Sequence, residues 1–90
     1  MTPLMTAAAI GFSPGVEELL KNGADINYEV IPVPNKFNRY PGFTPLDIAV
    51  QQQLYLESIG RGTYYYEQTI DVLCQNGAQQ VKTQPNVCSK

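Results

Sequence analysis

Histidine is absent from this 90-residue sequence, and the other residues that usually carry catalysis are sparse. Without histidine, the chain lacks the commonest general base and metal ligand. A glycine-rich phosphate loop is also missing, because Gly60, Arg61 and Gly62 have neither the spacing nor the lysine that such a loop requires. Glu17 and Glu18 are adjacent, so their side chains diverge on a helix. The sequence therefore predicts no catalytic residues and no cofactor, and an enzyme is the least favoured function.

Basic residues are few and scattered: six lysines and arginines stand against eight acidic residues, for a net charge of −2. Nucleic-acid-binding proteins usually carry a basic stripe, and anionic membrane surfaces attract clustered basic residues. No apolar run has the length that spans a bilayer. We therefore expect neither nucleic acid nor a membrane as a partner. The first segment also lacks the basic residues of a signal peptide, which favours a cytoplasmic location without establishing the compartment.

Cysteine is scarce as well, with only Cys74 and Cys88. Two cysteines without histidine cannot make a normal structural zinc site, so no metal site is predicted. Cys74 falls on the apolar face of a predicted helix beside Leu73, which favours a small buried thiol. The alternative, a disulfide between the two cysteines, requires an oxidising compartment.

What the sequence does contain is an internal repeat. Residues 2–8 (TPLMTAA) recur at 44–50 (TPLDIAV), and residues 16–25 (VEELLKNGAD) recur at 70–79 (IDVLCQNGAQ). These phrases resemble the ankyrin repeat, whose unit is two antiparallel helices followed by an outward β-turn finger. Stacked repeats usually offer a surface to a partner rather than a pocket to a substrate. The repeat therefore directs the search for function toward surfaces.

The resemblance implies an all-α fold, an ankyrin-type helical repeat solenoid with two helix–loop–helix repeats and a long finger loop. The repeat domain is expected over residues 1–79. Repeat one covers 2–41, including a loop insertion at 28–41, and repeat two covers 44–79. Residues 80–90 are predicted to be a polar tail, frayed or only loosely docked.

Repeat two departs from the family pattern in its helices. Thr44 and Asp47 form a variant capping box, and Asp47 stands where the family usually has histidine. The first helix is predicted to continue to Ile59, and the return helix to begin at Tyr64, which gives a lengthened helical hairpin. Three consecutive tyrosines point in three directions on a helix. One is therefore predicted to pack on the Tyr55 or Ile59 side of the hairpin, and another to be exposed.

The resemblance also implies function: a non-catalytic module that binds a protein partner of unknown identity. Ankyrin proteins meet partners at the finger tips and on the concave face of the first helices, and aromatic residues and arginine are enriched at binding hot spots. An alternative for two loop residues, Phe37 and Tyr40, is that they fold back over a thin core. The candidate partner-binding residues are Ala9, Ile10, Gln51 and Gln52 on the first helices, Phe43 at the finger, and Lys36, Phe37, Arg39 and Tyr40 in the inserted loop.

Other interpretations stay open because two repeats are fewer than the roughly three that usually make a stable array. The chain could be a structural piece of a longer ankyrin array. It could also form a homodimer through an uncapped N-terminal repeat face, on which four side chains are expected to be exposed. A bacterial immunity or inhibitor protein is a further alternative that rests on analogy. The four side chains of the expected open face are Leu4, Met5, Ala8 and Val16.

Overall fold

The structure is a computed structural model that describes residues 2–30, 42–84 and 86–88. Within these residues the chain forms two helical pairs and no β-strand, which confirms the all-α fold class. The first helices of the two pairs pack side by side, and so do the second helices. The elements are α1 (Pro3–Ala9), α2 (Ser13–Lys21), α3 (Pro45–Ser58) and α4 (Tyr64–Gln75).

The two first helices begin with the same cap. The hydroxyl of Thr2 accepts a 3.2 Å hydrogen bond from the amide of Met5, and the hydroxyl of Thr44 accepts one of 3.2 Å from the amide of Asp47. The Asp47 carboxylate accepts in return from the Thr44 amide, which completes the predicted capping box. A proline follows each threonine, where its missing N–H would have no helical partner anyway. The repeated sequence thus becomes a repeated helix start.

The two second helices also end alike. Gly23 and Gly77 adopt φ values of +88° and +84°, which side chains other than hydrogen rarely tolerate. The amide that follows each glycine donates a 3.0 Å hydrogen bond to a carbonyl five residues earlier, that of Leu19 or Leu73. These bonds satisfy carbonyls that would otherwise lack a partner at the helix end.

The core lies between the two helical pairs and joins them. Both first helices and both second helices contribute to it, so neither pair buries its apolar side without the other. Thr69 is buried beside this core, and its hydroxyl donates to the Tyr65 carbonyl at 2.9 Å. The buried apolar side chains of the core are Leu4, Ala7, Ala8, Val16, Leu46, Ala49, Val50, Ile70, Leu73 and Ala78.

The prediction that repeat one has an open, exposed apolar face is wrong. Leu4, Met5, Ala8 and Val16 are at most 1% exposed. Three of them, all except Met5, belong to the core cluster shared with repeat two. The error came from assigning these side chains to the outer face of repeat one, whereas Leu4, Ala8 and Val16 pack in the core shared with repeat two. Met5 is buried as well.

The second hairpin is longer than the first. α3 and α4 contain 14 and 12 residues, whereas α1 and α2 contain 7 and 9. α3 ends at Ser58 with Ile59 as its C-terminal cap, and α4 begins at Tyr64. Ser58 and Tyr55 close the last turn, because the Ser58 hydroxyl donates to the Tyr55 carbonyl at 2.6 Å. The extra turns therefore extend repeat two beyond the shorter helices of repeat one.

Candidate interaction surface

The candidate residues on the first helices occupy equivalent places in the two repeats. Ala9 and Ile10 end α1, and Gln51 and Gln52 lie on the adjacent α3. Ile10 is 64% exposed and Gln51 is exposed, whereas Ala9 and Gln52 are half-buried. The structure therefore places these four residues on neighbouring helices, with Ile10 as the most exposed apolar side chain among them.

Tyr66 fixes the α1 end of this surface. Its hydroxyl donates a 2.5 Å hydrogen bond to the carbonyl of Ala9. Its ring lies so close to Gly11 that a Cβ at Gly11 would meet ring carbons at 3.4 Å. Gly11 has a φ of +71°, so this turn also suits glycine on conformational grounds. The half-buried Tyr66 thus joins the tyrosine run to repeat one, and the predicted packing of one tyrosine on the Tyr55 or Ile59 side of the hairpin stays a prediction.

The other two tyrosines are exposed, as the directions of three consecutive side chains require. Tyr64 and Tyr65 are 63% and 69% exposed, and their rings meet edge to face with centroids 5.5 Å apart. Tyr65 also lies close to Gly11, because a Cβ added at Gly11 would be 3.4 Å from the Cβ of Tyr65. Gly11 stands between Ile10 and Phe12 in the sequence, and Phe12 is 53% exposed. The candidate set omitted Phe12, Tyr64 and Tyr65. The run of three tyrosines was a signal for Tyr64 and Tyr65, whereas no motif in the sequence marked Phe12.

The finger begins and ends in a short backbone pairing that we call the finger neck, formed by Val30, Gly42 and Phe43. The Val30 amide donates to the Phe43 carbonyl at 2.9 Å, and the Gly42 amide donates to the Val30 carbonyl at 2.8 Å. Phe43, the candidate residue at the finger, is half-buried. The loop candidates Lys36, Phe37, Arg39 and Tyr40 lie outside the described residues, so their expected role stays a prediction.

Asp47 is the most heavily hydrogen-bonded carboxylate in the described part of the chain, and it is fully buried. Besides the Thr44 amide, it accepts hydrogen bonds from three successive backbone amides, those of Val81, Lys82 and Thr83, at 2.9 to 3.1 Å. The Thr83 hydroxyl adds a bond of 2.6 Å. Successive amides that point at one anion form a concave site for negative charge. The anion here is the protein's own side chain.

This environment changes the acidity of Asp47. Burial alone would raise the pKa of its carboxyl. The hydrogen bonds from the Thr83 hydroxyl and from the amides of Thr44, Val81 and Lys82 favour the charged form, and together they outweigh burial. The pKa of Asp47 is therefore lowered from its ordinary 3.8. The carboxylate is therefore ionised at neutral pH, and the donors that stabilise its charge in the hydrogen bonds given above are amides and a hydroxyl rather than basic side chains.

The described residues at the end of repeat two and in the tail are docked onto the repeats, and we call residues 79–84 and 86–88 the cap segment. Its Gln79 amide donates to the Asn27 side chain at 2.9 Å, and its Gln79 carbonyl accepts from the Thr44 hydroxyl at 2.6 Å. A Cβ at Gly42 would lie only 2.7 Å from the Cε of Lys82. The cap segment therefore contacts the end of repeat one, the finger neck and the start of α3. The prediction of a frayed or only loosely docked tail is wrong for these residues, because the backbone amides of residues 81–83 bind the buried Asp47 carboxylate.

A disulfide between Cys74 and Cys88 closes the cap segment onto α4. The favoured expectation of a free buried thiol is therefore wrong. The chain turns back after Thr83, which brings the two Cα atoms within 5.3 Å, and Val87 and Cys88 pack against the core. The Gln80 side-chain carbonyl accepts a 2.7 Å hydrogen bond from the Val87 amide and holds this return. Sequence alone could not place the tail near the helix, so it could not select the pairing.

The described part of the chain also contains two surface depressions. One of about 220 Å³ lies at the start of α1 and is lined mainly by apolar groups, among them Leu4, Leu19 and Tyr28. Another, of about 260 Å³, lies between α2 and α4 beside Glu17 and Lys21. Among the described residues, no group of three or more cysteines and acidic residues is arranged to hold a metal ion. None of the described helices combines the length and the apolar character needed to cross a membrane.

Comparison with protein families agrees with the first half of this architecture. Residues 1–27 match the family model described as the ankyrin repeat. The matched segment contains α1, α2 and the turn that ends α2 at Gly23. No curated protein and no solved structure matches the chain. The resemblance read from the repeated phrases is therefore confirmed by the match to repeat one.

Proposed function

We propose that this chain, whose residues 1–27 match the ankyrin-repeat family model, is a non-catalytic ankyrin-type module that binds a protein partner through the finger and the first-helix face. The observation that carries the proposal is the 64% exposure of Ile10, an apolar side chain at the end of α1. This helix packs against α3, which contains the polar Gln51 and Gln52. An apolar anchor within a polar surround is the usual composition of a binding surface. Ile10 also contributes nothing to the core cluster, so folding does not account for it.

The proposed surface combines rigid and extended parts. The rigid part is the first-helix face, because the Tyr66 hydrogen bond to Ala9 and the buried part of α3 fix its backbone. Rigid elements bind with a smaller loss of conformational entropy. The extended part is the inserted loop with Lys36, Phe37, Arg39 and Tyr40, which we assign to the interface on residue type. Phe43 would connect the two parts through the finger neck.

A binding experiment with one charge substitution tests the first-helix face. The wild-type chain is first used to capture candidate partners from its native source, and each is then purified for titration. Ile10→Asp places a charge at the proposed anchor and should weaken binding about tenfold or more. Gln68→Asp is the matched control, because it introduces the same charge at an exposed position on α4. Equal affinity for wild type and Ile10→Asp would remove this face from the interface.

The inserted loop is tested separately. A double change of Phe37 and Tyr40 to alanine should also weaken binding if the loop meets the partner, whereas a cover over the core would lower stability instead. Thermal melting of the same double variant separates these two outcomes. Unchanged affinity with unchanged melting would exclude both roles for the loop.

The alternatives are less well supported. A homodimer through Leu4, Met5, Ala8 and Val16 is not proposed, because these side chains are buried in the folded chain. A piece of a longer array and an immunity or inhibitor role both stay predictions, because no contact of the described residues favours either.

A further inference from the structure

The geometry points to a redox-controlled cap: we propose that the Cys74–Cys88 disulfide is a reducible lock on the cap segment. When the disulfide is formed, it keeps three backbone amides on the Asp47 carboxylate and keeps Lys82 against the finger neck. When it is reduced, the cap segment opens while the helical repeats stay folded. This property is separate from the proposed partner binding and can be tested without a partner.

The position of the disulfide is the first argument for a lock. The two cysteines are separated by 14 residues, and the loop between them contains Val81, Lys82 and Thr83. These are the residues whose amides hold Asp47. Closing a loop covalently removes much of the conformational freedom that its opening would gain. The covalent bond therefore acts on the same segment that the carboxylate binds.

The contacts of the cap segment with the rest of the fold are the second argument. Apart from the disulfide, the segment is held mainly by hydrogen bonds from its backbone and polar side chains, with Val87 as an apolar contact. The helices are instead held by the core cluster, which lies between α1, α2, α3 and α4. Segments with few apolar contacts open locally at a lower free energy than the core. The cap segment can therefore open without global unfolding.

Access to the sulfur atoms is the third requirement. Cys74 and Cys88 are both half-buried rather than buried, and the proposal requires that a small dithiol reaches one of their sulfur atoms. A thiolate of the dithiol attacks one sulfur, forms a mixed disulfide and releases the other cysteine as a thiolate that takes up a proton. The second thiol of the reductant then closes its own disulfide and releases the first cysteine. One protein disulfide and one dithiol thus become two protein thiols and one oxidised dithiol.

Opening of the cap segment would also affect the finger, because the cap segment contacts residues at both ends of the finger. Gln79 joins the Asn27 side chain to the Thr44 hydroxyl, which lie on the two sides of the finger. The Lys82 side chain lies against Gly42 in the finger neck. Loss of these contacts would remove the support that the cap segment gives to the two backbone hydrogen bonds of the neck. The amides of Val30 and Gly42 therefore report whether the effect spreads beyond the cap segment.

Amide hydrogen exchange followed by NMR tests the lock in the whole chain. Dithiothreitol is the probe, and exchange is compared before and after reduction. We expect the amides of Val81, Lys82 and Thr83 to lose protection by up to roughly 100-fold, the size expected for freeing a loop of this length. The amides of Val30 and Gly42 should lose a smaller part of their protection from exchange, and the amides of α1 and α3 should keep their protection.

The double variant Cys74→Ser/Cys88→Ser separates reduction from side effects of the reductant. It should show the reduced exchange pattern without dithiothreitol and should not respond when the reagent is added. Unchanged protection of the three amides after complete reduction would overturn the proposal. Loss of protection by all amides together would also overturn it, because the disulfide would then be a staple of the whole fold rather than a lock on the cap segment.

Discussion

The Asp47 carboxylate accepts a 2.6 Å hydrogen bond from the hydroxyl of Thr83, 36 residues further along the chain. Asp47 belongs to the first turn of α3, where it also accepts from the Thr44 amide. One side chain therefore stabilises a helix start and fixes the cap segment. Because Thr44 follows the finger directly, the same contacts determine where the finger returns to the repeat.

Replacing Asp47 with asparagine should lower the free energy of unfolding by roughly 2–3 kcal/mol. Asparagine keeps one acceptor oxygen, but its NH2 group would face donors, and hydrogen bonds to a charged acceptor are stronger than neutral ones. Urea denaturation at neutral pH measures the change. Asp71→Asn is the matched control, because Asp71 is exposed on α4 and should change stability by less than about 0.5 kcal/mol. Equal stabilities for the two variants would contradict the assigned role of Asp47.

Stability should also fall on acidification because of Asp47. Its pKa is lowered in the folded chain, so the folded state binds this proton less readily than the unfolded state does. The resulting stabilisation is complete above the unfolded value of 3.8 and is lost as the pH falls through the lower folded value. Urea midpoints measured from about pH 6 downward should therefore decline below about pH 4–5.

The Asp47→Asn variant serves as the reference for this pH series. It lacks the titrating carboxyl, so its stability should decline less steeply than that of wild type over the same interval. The stability curves of wild type and Asp47→Asn should approach each other at the acid end of the series, where the wild-type carboxyl is protonated and residue 47 is uncharged in both proteins. Parallel curves throughout would show that another group causes the acid dependence.

The repeat itself was predictable because its signals are local. Thr44 and Asp47 stand at capping-box spacing, and Gly23 and Gly77 follow asparagines at the ends of the second helices. Each of these signals acts within one helical turn. The helix pairs and their order therefore followed from the sequence.

The cap segment was not predictable, because its contacts are long-range and use backbone groups. Three amides of residues 81–83 bind Asp47, and amides leave no mark in an amino-acid sequence. The polar composition that binds a carboxylate is also the composition of a frayed tail. The disulfide could not be predicted either, because it forms only when the tail returns to α4. That one of the three tyrosines is exposed could be predicted from direction alone, but the contact of Tyr66 with Ala9 needed the packing of two repeats.

Thr44→Val should cost more stability than Thr2→Val, although both remove a helix cap. Each variant keeps the branched shape and loses an acceptor for the third residue of its helix, which costs about 1 kcal/mol. Only Thr44 also donates to the cap segment, at the Gln79 carbonyl. That partly buried hydrogen bond should add about 1 kcal/mol. Chemical denaturation of both variants measures the difference, and equal losses would show that the Gln79 bond contributes nothing to stability.

Tyr66→Phe should lower the free energy of unfolding by about 1 kcal/mol, because it removes the hydroxyl that donates to the Ala9 carbonyl and keeps the ring against Gly11. Tyr64→Phe is the matched control, since the side chain of Tyr64 is 63% exposed. Its removal of a solvated hydroxyl should change stability by less than about 0.5 kcal/mol. Thermal and urea unfolding of both variants give the comparison.

The same pair of variants also tests how the first-helix face is supported. If the Tyr66 hydrogen bond fixes the end of α1, its loss should increase exchange of the Ile10 amide, which donates to the Thr6 carbonyl at 3.2 Å. Tyr64→Phe should leave that amide unchanged. An unchanged Ile10 amide in Tyr66→Phe would mean that α1 is held by its core contacts alone. The proposed binding face would then owe its rigidity to Leu4 and Ala8, which are buried on the same helix.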